Sequence, residues 1–366
     1  MMENRRYKAL GLMSGTSLDG VDAAIIETDG EDIFGFGRSL CLDFPDDGAP
    51  VKNAVKAALK WRFNGPPPNN LQVGSDYIDA VHLKAIESLG IGDVDIIGYH
   101  GQTVFHQPAQ DGVKGQTLQL GNGQTLAAKF GVPCVYDFRT ADVKAGGQGA
   151  PLAPIYHQAL CRYSKLKGRI AVVNIGGVSN VTLLESDNPL IATDCGPGNG
   201  PLDSWMSLKS GKSLDAGGEM SFKGQADFKR IAKWLESDFF NRPIPRSADR
   251  YDFDVLSDMR DMSLEDGAAT LASFCAQSIA RDMKAFNPDS IIVCGGGRHN
   301  PTIMGMIEIH TEGKVMSAED VGWDGDALEA QAFAYLAVRA LKGLPISFPG
   351  TTGVPAPITG GIVARP

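Results

Sequence analysis

No stretch of this sequence approaches the ~20 uninterrupted apolar residues that a membrane-spanning helix requires. Its start, MMENRRYKALGLMSG, lacks an apolar core followed by a small-residue cleavage site, so no secretory leader is expected and a cytoplasmic address follows. The six cysteines (Cys41, Cys134, Cys161, Cys195, Cys275, Cys294) form no C-x-x-C pair and none has metal-ligand spacing to a histidine. That excludes a disulfide framework and leaves reduced, mostly buried thiols. A basic stripe is also missing. With a formal net charge of -9, nucleic acid is excluded as a partner, because such binding rests on Lys/Arg neutralising phosphates. One anionic ligand is still allowed, where backbone N–H groups and a metal ion supply a local positive field.

Two familiar nucleotide motifs are absent. SGKS at 210–213 resembles the end of a P-loop, but Met206 stands where that motif needs its first glycine. GPGNGP places its third glycine one residue too early for a dinucleotide fingerprint, and GGGRHN lacks it. Aromatics are few at 8%, whereas 44 glycines point to many tight turns, some beside ligands.

What is present suits an ordinary soluble globular chain, 43% hydrophobic and 21% charged. At 366 residues it exceeds the usual size of one hydrophobic core, so two lobes are expected. Ala9–Met13 and Val21–Thr28 read as strands around a polar turn, SGTSLDG. Val51–Trp61 and Tyr77–Leu89 have helical spacing, with the Pro-rich NGPPPNN as a loop between them. VDIIGYHG is a buried-strand pattern. GNGQTLAAKF reads as a helix stopped by Gly131, before a strand that delivers Asp137, Arg139 and Asp142.

After AGGQGAPLAP the pattern starts again. Arg169–Ile175 and Val181–Glu185 are strands around GGVSN, a second hairpin like the first. A strand runs into the glycine-rich DCGPGNG and then a helix. Leu271–Phe286 is a long amphipathic helix, and Asp289–Cys294 is a strand ending in GGGRHNP before a helix from about Thr302. A final helix spans about 326–341, and a Pro/Gly-rich tail follows. The order indicates two α/β lobes with similar openings, divided near 145/146, with the C-terminal segment packing back on the first. AGGQGAPLAP, near that division, is read as a hinge whose glycines absorb backbone rotation.

Three strand ends thus carry small glycine-containing loops: SGTSLDG, GGVSN and GGGRHN. Consecutive N–H groups in such loops face one anion, and Ser/Thr hydroxyls add donors without bulk, so the three together suggest phosphate binding. Two such hairpins and a glycine turn opening a helix form the layout of the sugar kinase, Hsp70 and actin superfamily. Read together, GLMSGTSLDGVDAAIIE, GYHGQTVFHQP, VYDFRTADVKAGGQGAPLAP, VVNIGGVSNVT, DCGPGN, VCGGGRHNP and GWDGDALEAQAFAYLA resemble the anhydro-N-acetylmuramic acid kinase family over nearly the whole chain.

That resemblance implies a two-lobed actin-like (ribonuclease H-like) fold, each lobe a mixed sheet with flanking helices, with ATP in the cleft between lobes. It implies that Gly15, Thr16, Ser17, Leu18, Asp19, Gly20, Val21 and Asp22 embrace the phosphates. Asn174, Gly176, Gly177, Ser179 and Asn180 are implied to approach the β- and γ-phosphates, and Gly295, Gly296, Gly297 and Asn300 to form the adenosine-side turn. For the asparagines the competing reading is turn stabilisation. Many relatives in the superfamily carry an aspartate that helps hold Mg²⁺ where this chain has Met13, so Asp22 or water-mediated contacts are the alternatives.

The implied reaction is hydrolytic opening of the 1,6-anhydro ring of anhydro-N-acetylmuramic acid with phosphorylation of O6, in cell-wall recycling. Asp194 matches the catalytic base, its competitor being a helix cap. Glu329 matches a residue facing the sugar, although glutamate also suits a helix start. Arg139 matches a substrate arginine whose fork suits the lactyl carboxylate, against an internal salt bridge to Asp137 or Asp142. His100, Gln102 and His106 are candidates to line the sugar pocket. The family also tends to form dimers. Two other classes fit the loops: an ATPase of the Hsp70 or actin kind without sugar transfer, and a non-catalytic sugar or nucleotide sensor.

Overall fold

A computed structural model describes residues 5–15, 18, 20–90, 92–109, 113–185, 188–248 and 252–366. Thr16, Ser17 and Asp19 therefore lie outside the described residues. The strands are β1 Tyr7–Ser14, β2 Gly20–Thr28, β3 Ile33–Asp43, β4 Ile96–Gln107, β5 Gln116–Leu120, β6 Cys134–Tyr136, β7 Ile170–Ile175, β8 Val178–Leu184, β9 Ile191–Pro197, β10 Ser290–Cys294, β11 Lys314–Ser317 and β12 Ile362–Ala364. The helices are α1 Ala49–Trp61, α2 Asn69–Leu89, α3 Gly123–Phe130, α4 Thr140–Lys144, α5 Pro154–Tyr163, α6 Gly200–Ser210, α7 Glu219–Lys223, α8 Phe228–Trp234, α9 Asp238–Asn241, α10 Leu264–Met283, α11 Pro301–His310, α12 Leu328–Leu341 and α13 Pro349–Thr352. None is long and apolar enough to cross a membrane among the described residues.

The chain forms two compact units, one of Met1–Lys165 with Asp326–Pro366 and the other of Leu166–Gly325. The division expected at 145/146 lies instead at 165/166. Residues 146–165 stay with the first unit because α5 is bonded into it: Tyr156 Oη donates to Gln331 Oε1 at 2.7 Å, and Arg162 donates to the Glu31 carbonyl at 2.6 Å. The expected hinge is corrected for the same reason. Gly149 N–H donates to Asp142 Oδ1 at 2.6 Å and Gln148 N–H to the Thr352 carbonyl at 2.6 Å, so AGGQGAPLAP is pinned inside the first unit.

In the first unit the sheet order is β12-β6-β4-β1-β2-β3, with β5 pairing β4. Strands β1, β2 and β3 form an antiparallel meander, and β4 and β6 add in parallel beside β1. The second unit repeats this: β7, β8 and β9 form a meander, with β10 and β11 parallel beside β7. Each unit is therefore a mixed sheet with flanking helices, built from the same strand order, as expected of an actin-like chain.

Packing explains the composition. Strand β1, YKALGLMS, is almost entirely buried, and such runs occur where both faces of a strand are covered. Its cover is α12, an alanine-rich helix that lies unusually close. A Cβ on Gly11 would sit 1.7 Å from the Ala330 carbonyl oxygen, and one on Gly98 would sit 2.1 Å from that of Phe333. Here glycine serves close approach of helix to sheet. In the second unit α10 is buried along most of its length against a core that includes Trp205, Phe240 and Phe253.

Candidate active site

The first hairpin loop is braced from β4. Ser14 Oγ donates toward Gln102 Oε1 at 2.6 Å and the Gly20 carbonyl at 3.1 Å, and Gln102 Nε2 donates to the Gly15 carbonyl at 3.0 Å. Gln102 is fully buried, so the structure assigns it this supporting contact. Leu18 adopts a left-handed backbone, φ 58°, between Gly15 and Gly20. Asp22 stands directly opposite Met13 on the paired strand, so the two side chains share one face of the sheet. Cys41, its partner on β3, donates its thiol to Asp22 Oδ1.

Glu329 lies in the first turn of α12 and is exposed. Loss of water to the protein atoms around it raises its carboxyl above the ordinary range; repulsion from Asp22 adds to the effect, and the charge of Arg139 subtracts. Arg139 donates from Nε to His100 Nε2 at 3.0 Å and from a terminal nitrogen to the Gly149 carbonyl at 2.7 Å. His100 therefore accepts on Nε2 and gives Nδ1–H to the Gly101 carbonyl at 2.9 Å. Burial holds it neutral, with Arg139 reinforcing the effect. His106 faces Thr117 Oγ1 at 3.1 Å through Nδ1. Asp142 is 1% exposed, in α4 rather than at a strand end, and its oxygens accept from Gly149 N–H and the Thr352 hydroxyl. A cavity of about 150 Å³ lies beside this cluster, lined by residues that include Tyr99, His100, Thr117, Gln119, Asp137 and Thr140.

In the second unit the hairpin β7–β8 turns through Gly176 and Gly177 alone, so Val178, Ser179 and Asn180 belong to β8. Neither glycine has positive φ. Their carbonyls accept from the loop after β9: Asn199 N–H to Gly176 at 2.7 Å, and the Gly198 and Gly200 N–H groups to Gly177 at 3.1 Å each. A Cβ on Gly198 would meet the Gly176 oxygen at 2.2 Å, so two loops touch backbone to backbone. Around Gly177 a Cβ would find open space. Ser179 Oγ is buried and donates toward the Gly196 and Pro197 carbonyls, bracing the same loop.

Register places Cys294, Asn174, Asn180 and Asp194 in one row across β10, β7, β8 and β9. A bulge follows Asp194, because Ser179 pairs with Gly196 while Asn180 pairs with Asp194, leaving Cys195 as the extra residue. Bulges re-aim side chains and gather near active sites. Asp194 Oδ2 accepts from Ala248 N–H at 2.8 Å, and the residue capping α6 is Asn199, so the helix-cap reading of Asp194 falls.

Gly295 does use a left-handed backbone, φ 73°, and a Cβ there would meet Asn174 Oδ1 at 2.3 Å. Gly296 and Gly297 open a short 3-10 turn, and Asn300 caps α11 by accepting from Thr302 and Ile303 N–H at 3.0 and 3.2 Å. Sequence reasoning missed the partners of Asp194: Ala248, Arg246 and, behind them, Asp282. They lie 52 to 88 positions later in the chain, and no spacing signals them.

The sequence model of a family described as anhydro-N-acetylmuramic acid kinase matches residues 7–365. An anhydro-N-acetylmuramic acid kinase of Acidiphilium cryptum is 46% identical over 360 residues, covering 98% of each chain. One from Rhizobium rhizogenes is 44% identical, covering 98% of this chain and 99% of the relative. Among solved structures, component A of the (R)-2-hydroxyglutaryl-CoA dehydratase of Acidaminococcus fermentans is 12% identical with a TM-score of 0.47, covering 91% and 99% of the two chains.

Proposed function

The chain belongs to the anhydro-N-acetylmuramic acid kinase family, and from that premise we propose how its residues carry the kinase reaction. Water adds to the anomeric carbon as the bond from that carbon to O6 breaks. O6 takes the γ-phosphoryl group of ATP, ADP leaves, and the proton of the water passes to the Asp194 carboxylate, giving N-acetylmuramic acid 6-phosphate. The observation that carries this reading is the placement of Asp194: a carboxylate 8% exposed, aimed by a strand bulge and held on one oxygen by a backbone amide.

Arg139 binds the lactyl carboxylate, its guanidinium oriented by neutral His100 and the Gly149 carbonyl. Glu329, with its raised pKa, hydrogen-bonds a sugar hydroxyl. The loops at Gly15–Gly20 and Gly176–Gly177 present backbone to the phosphates, Asn174 and Asn180 flank the second, and Gly295–Gly297 face the adenosine. Mg²⁺ would draw its protein oxygen from Asp22. No group of three or more His, Cys, Asp or Glu that could hold a metal exists among the described residues, and one carboxylate with waters and phosphate oxygens is the usual company of this ion. Bound there, it would neutralise phosphate charge. We place the activity in cell-wall recycling, in the cytoplasm, with a homodimer as the assembly.

Incubation with ATP, Mg²⁺ and anhydro-N-acetylmuramic acid in heavy-oxygen water, with rapid quenching, tests the reading. The expected product is a reducing sugar 6-phosphate with the heavy oxygen on the anomeric carbon. Steady ADP and inorganic phosphate release without sugar product would instead favour an ATPase, and binding of both ligands without turnover would favour a sensor.

A further inference from the structure

Asp194 depends on a segment with no regular structure of its own. Residues 242–248 run beside β9 as an irregular strap. Asp194 N–H donates to the Arg246 carbonyl at 3.0 Å, Arg246 N–H to Thr193 Oγ1 at 3.1 Å, and Ala248 N–H to Asp194 Oδ2 at 2.8 Å. The last of these bonds fixes the rotation of the carboxylate, so the register of the strap becomes the orientation of Asp194.

One side chain on α10 sets that register. Arg246 turns inward over the Phe239 ring, 4.7 Å from its centroid, and its guanidinium lies 2.5 Å from Asp282 Oδ2. Both side chains are buried, at 5% and 9% exposure. Cys195, the extra residue of the bulge that aims Asp194, donates its thiol to the Thr193 carbonyl at 4.0 Å, and burial raises that thiol with the charge of Asp282 adding to the effect. A single carboxylate thus grips the strap on one side of Asp194 and bears by its charge on the bulge at the other.

Stability does not account for such a pair. A buried ion pair is often no better for stability than apolar side chains of the same volume, while its bond directions fix geometry that apolar contact leaves loose. We propose that Asp282, acting through Arg246, is a positioning residue that holds the Asp194 carboxylate in the orientation needed to accept the proton of the attacking water. The proposal rests on the reading of Asp194 as the base.

The test compares Asp282→Asn, Arg246→Lys and the apolar double variant Arg246→Met/Asp282→Leu in the full chain. Steady-state kinetics with ATP, Mg²⁺ and anhydro-N-acetylmuramic acid are normalised to the folded fraction measured by circular dichroism. Misplacement of a reacting group by ~1 Å costs on the order of 100-fold in rate. We expect kcat to fall about 10- to 100-fold in Asp282→Asn and in the double variant, with both KM values within about twofold of native. Arg246→Lys, which keeps the charge and loses the fork, falls between them and the native enzyme. If Asp282→Asn fails to fold, the double variant decides, since apolar replacement leaves no unpaired charge. Native kcat in the folded double variant overturns the proposal, and so does a loss shared between kcat and KM. Should Asp194→Asn itself turn over at the native rate, the reading of the base falls first. Loss in Asp194→Asn with native kcat in the double variant removes the positioning role alone.

Discussion

Replacing Asp194 by Asn changes one oxygen to a nitrogen and removes the charge. The remaining carbonyl oxygen can still accept the Ala248 amide that Asp194 Oδ2 now takes at 2.8 Å. A hydrogen bond to a charged acceptor stabilises by roughly 1 kcal/mol more than one to a neutral acceptor, so the folded state loses about that much. In a unit the size of 166–325 such a loss lowers Tm by only about 2–4 °C. The effect on turnover is far larger. A positioned general base contributes about 100- to 10,000-fold, or about 2.7–5.4 kcal/mol of barrier at ~1.36 kcal/mol per tenfold. The assay follows ADP release coupled to sugar phosphate formation, alongside calorimetric titration with an ATP analogue. We expect kcat to fall by at least ~100-fold while nucleotide affinity and Tm stay close to native. Turnover within a few-fold of native would remove Asp194 from the chemistry; a large drop in Tm with loss of nucleotide binding would show that its work is structural.

Gly11→Ala should destabilise by about 3 kcal/mol or more, because the new methyl would lie 1.7 Å from backbone oxygen rather than from a movable side chain; an unchanged urea midpoint would refute the close approach of α12. Gly177→Ala, whose Cβ meets nothing within 4 Å, should leave the midpoint within ~0.5 kcal/mol of native while raising KM for ATP; an unchanged KM would take phosphate away from this turn. Burial lowers the pKa of His82 and of His157 from 6.5 to about 4, so their neutral forms are favoured by the fold. Stability from these groups is complete above pH 6.5 and lost as pH falls toward 4, by about 2 kcal/mol for each at pH 5; denaturation curves of equal free energy at pH 7 and pH 5 would contradict this. For Glu329 the sign is opposite. Its raised pKa means stability is complete below its ordinary 4.5 and declines as pH rises through the folded value, so Glu329→Gln should be more stable than native at neutral pH and equal to it in acid; equal stability at both would show that the carboxyl is not disfavoured by its surroundings.

Both glycine-turn hairpins were legible, because apolar runs of strand length flank short polar segments, and α10 and α12 follow helical periodicity. Strand β3 was not: IFGFGRSLCLD is a half-exposed edge strand whose two glycines, arginine and serine break any alternation. The three-residue strand β12 hides in a tail rich in Pro and Gly for the same lack of period. The division between units escaped detection because α5 is held to the first by side chains such as Tyr156 and Arg162, whose partners Gln331 and Glu31 are far away in sequence. Several residues read as ligand contacts proved to have bracing partners, Gln102 and Ser179 most clearly. Hydrogen-bonding capacity is visible in a sequence, whereas the direction in which it is used is not. Asp282 is the opposite case, since an aspartate late in an amphipathic helix reads as a solvated face, yet it is buried beside Arg246.

The helix that covers β1 and β4 is also the element that follows the whole second unit along the chain. During synthesis, residues 166–325 leave the ribosome before α12 does, so the glycine-floored groove at Gly11 and Gly98 waits uncovered while a complete neighbouring unit is made and has time to fold. The half of the protein that begins first is finished last. A nascent chain arrested with Gly325 just clear of the ribosome should therefore hold a protease-resistant second unit and a first unit still open to cleavage.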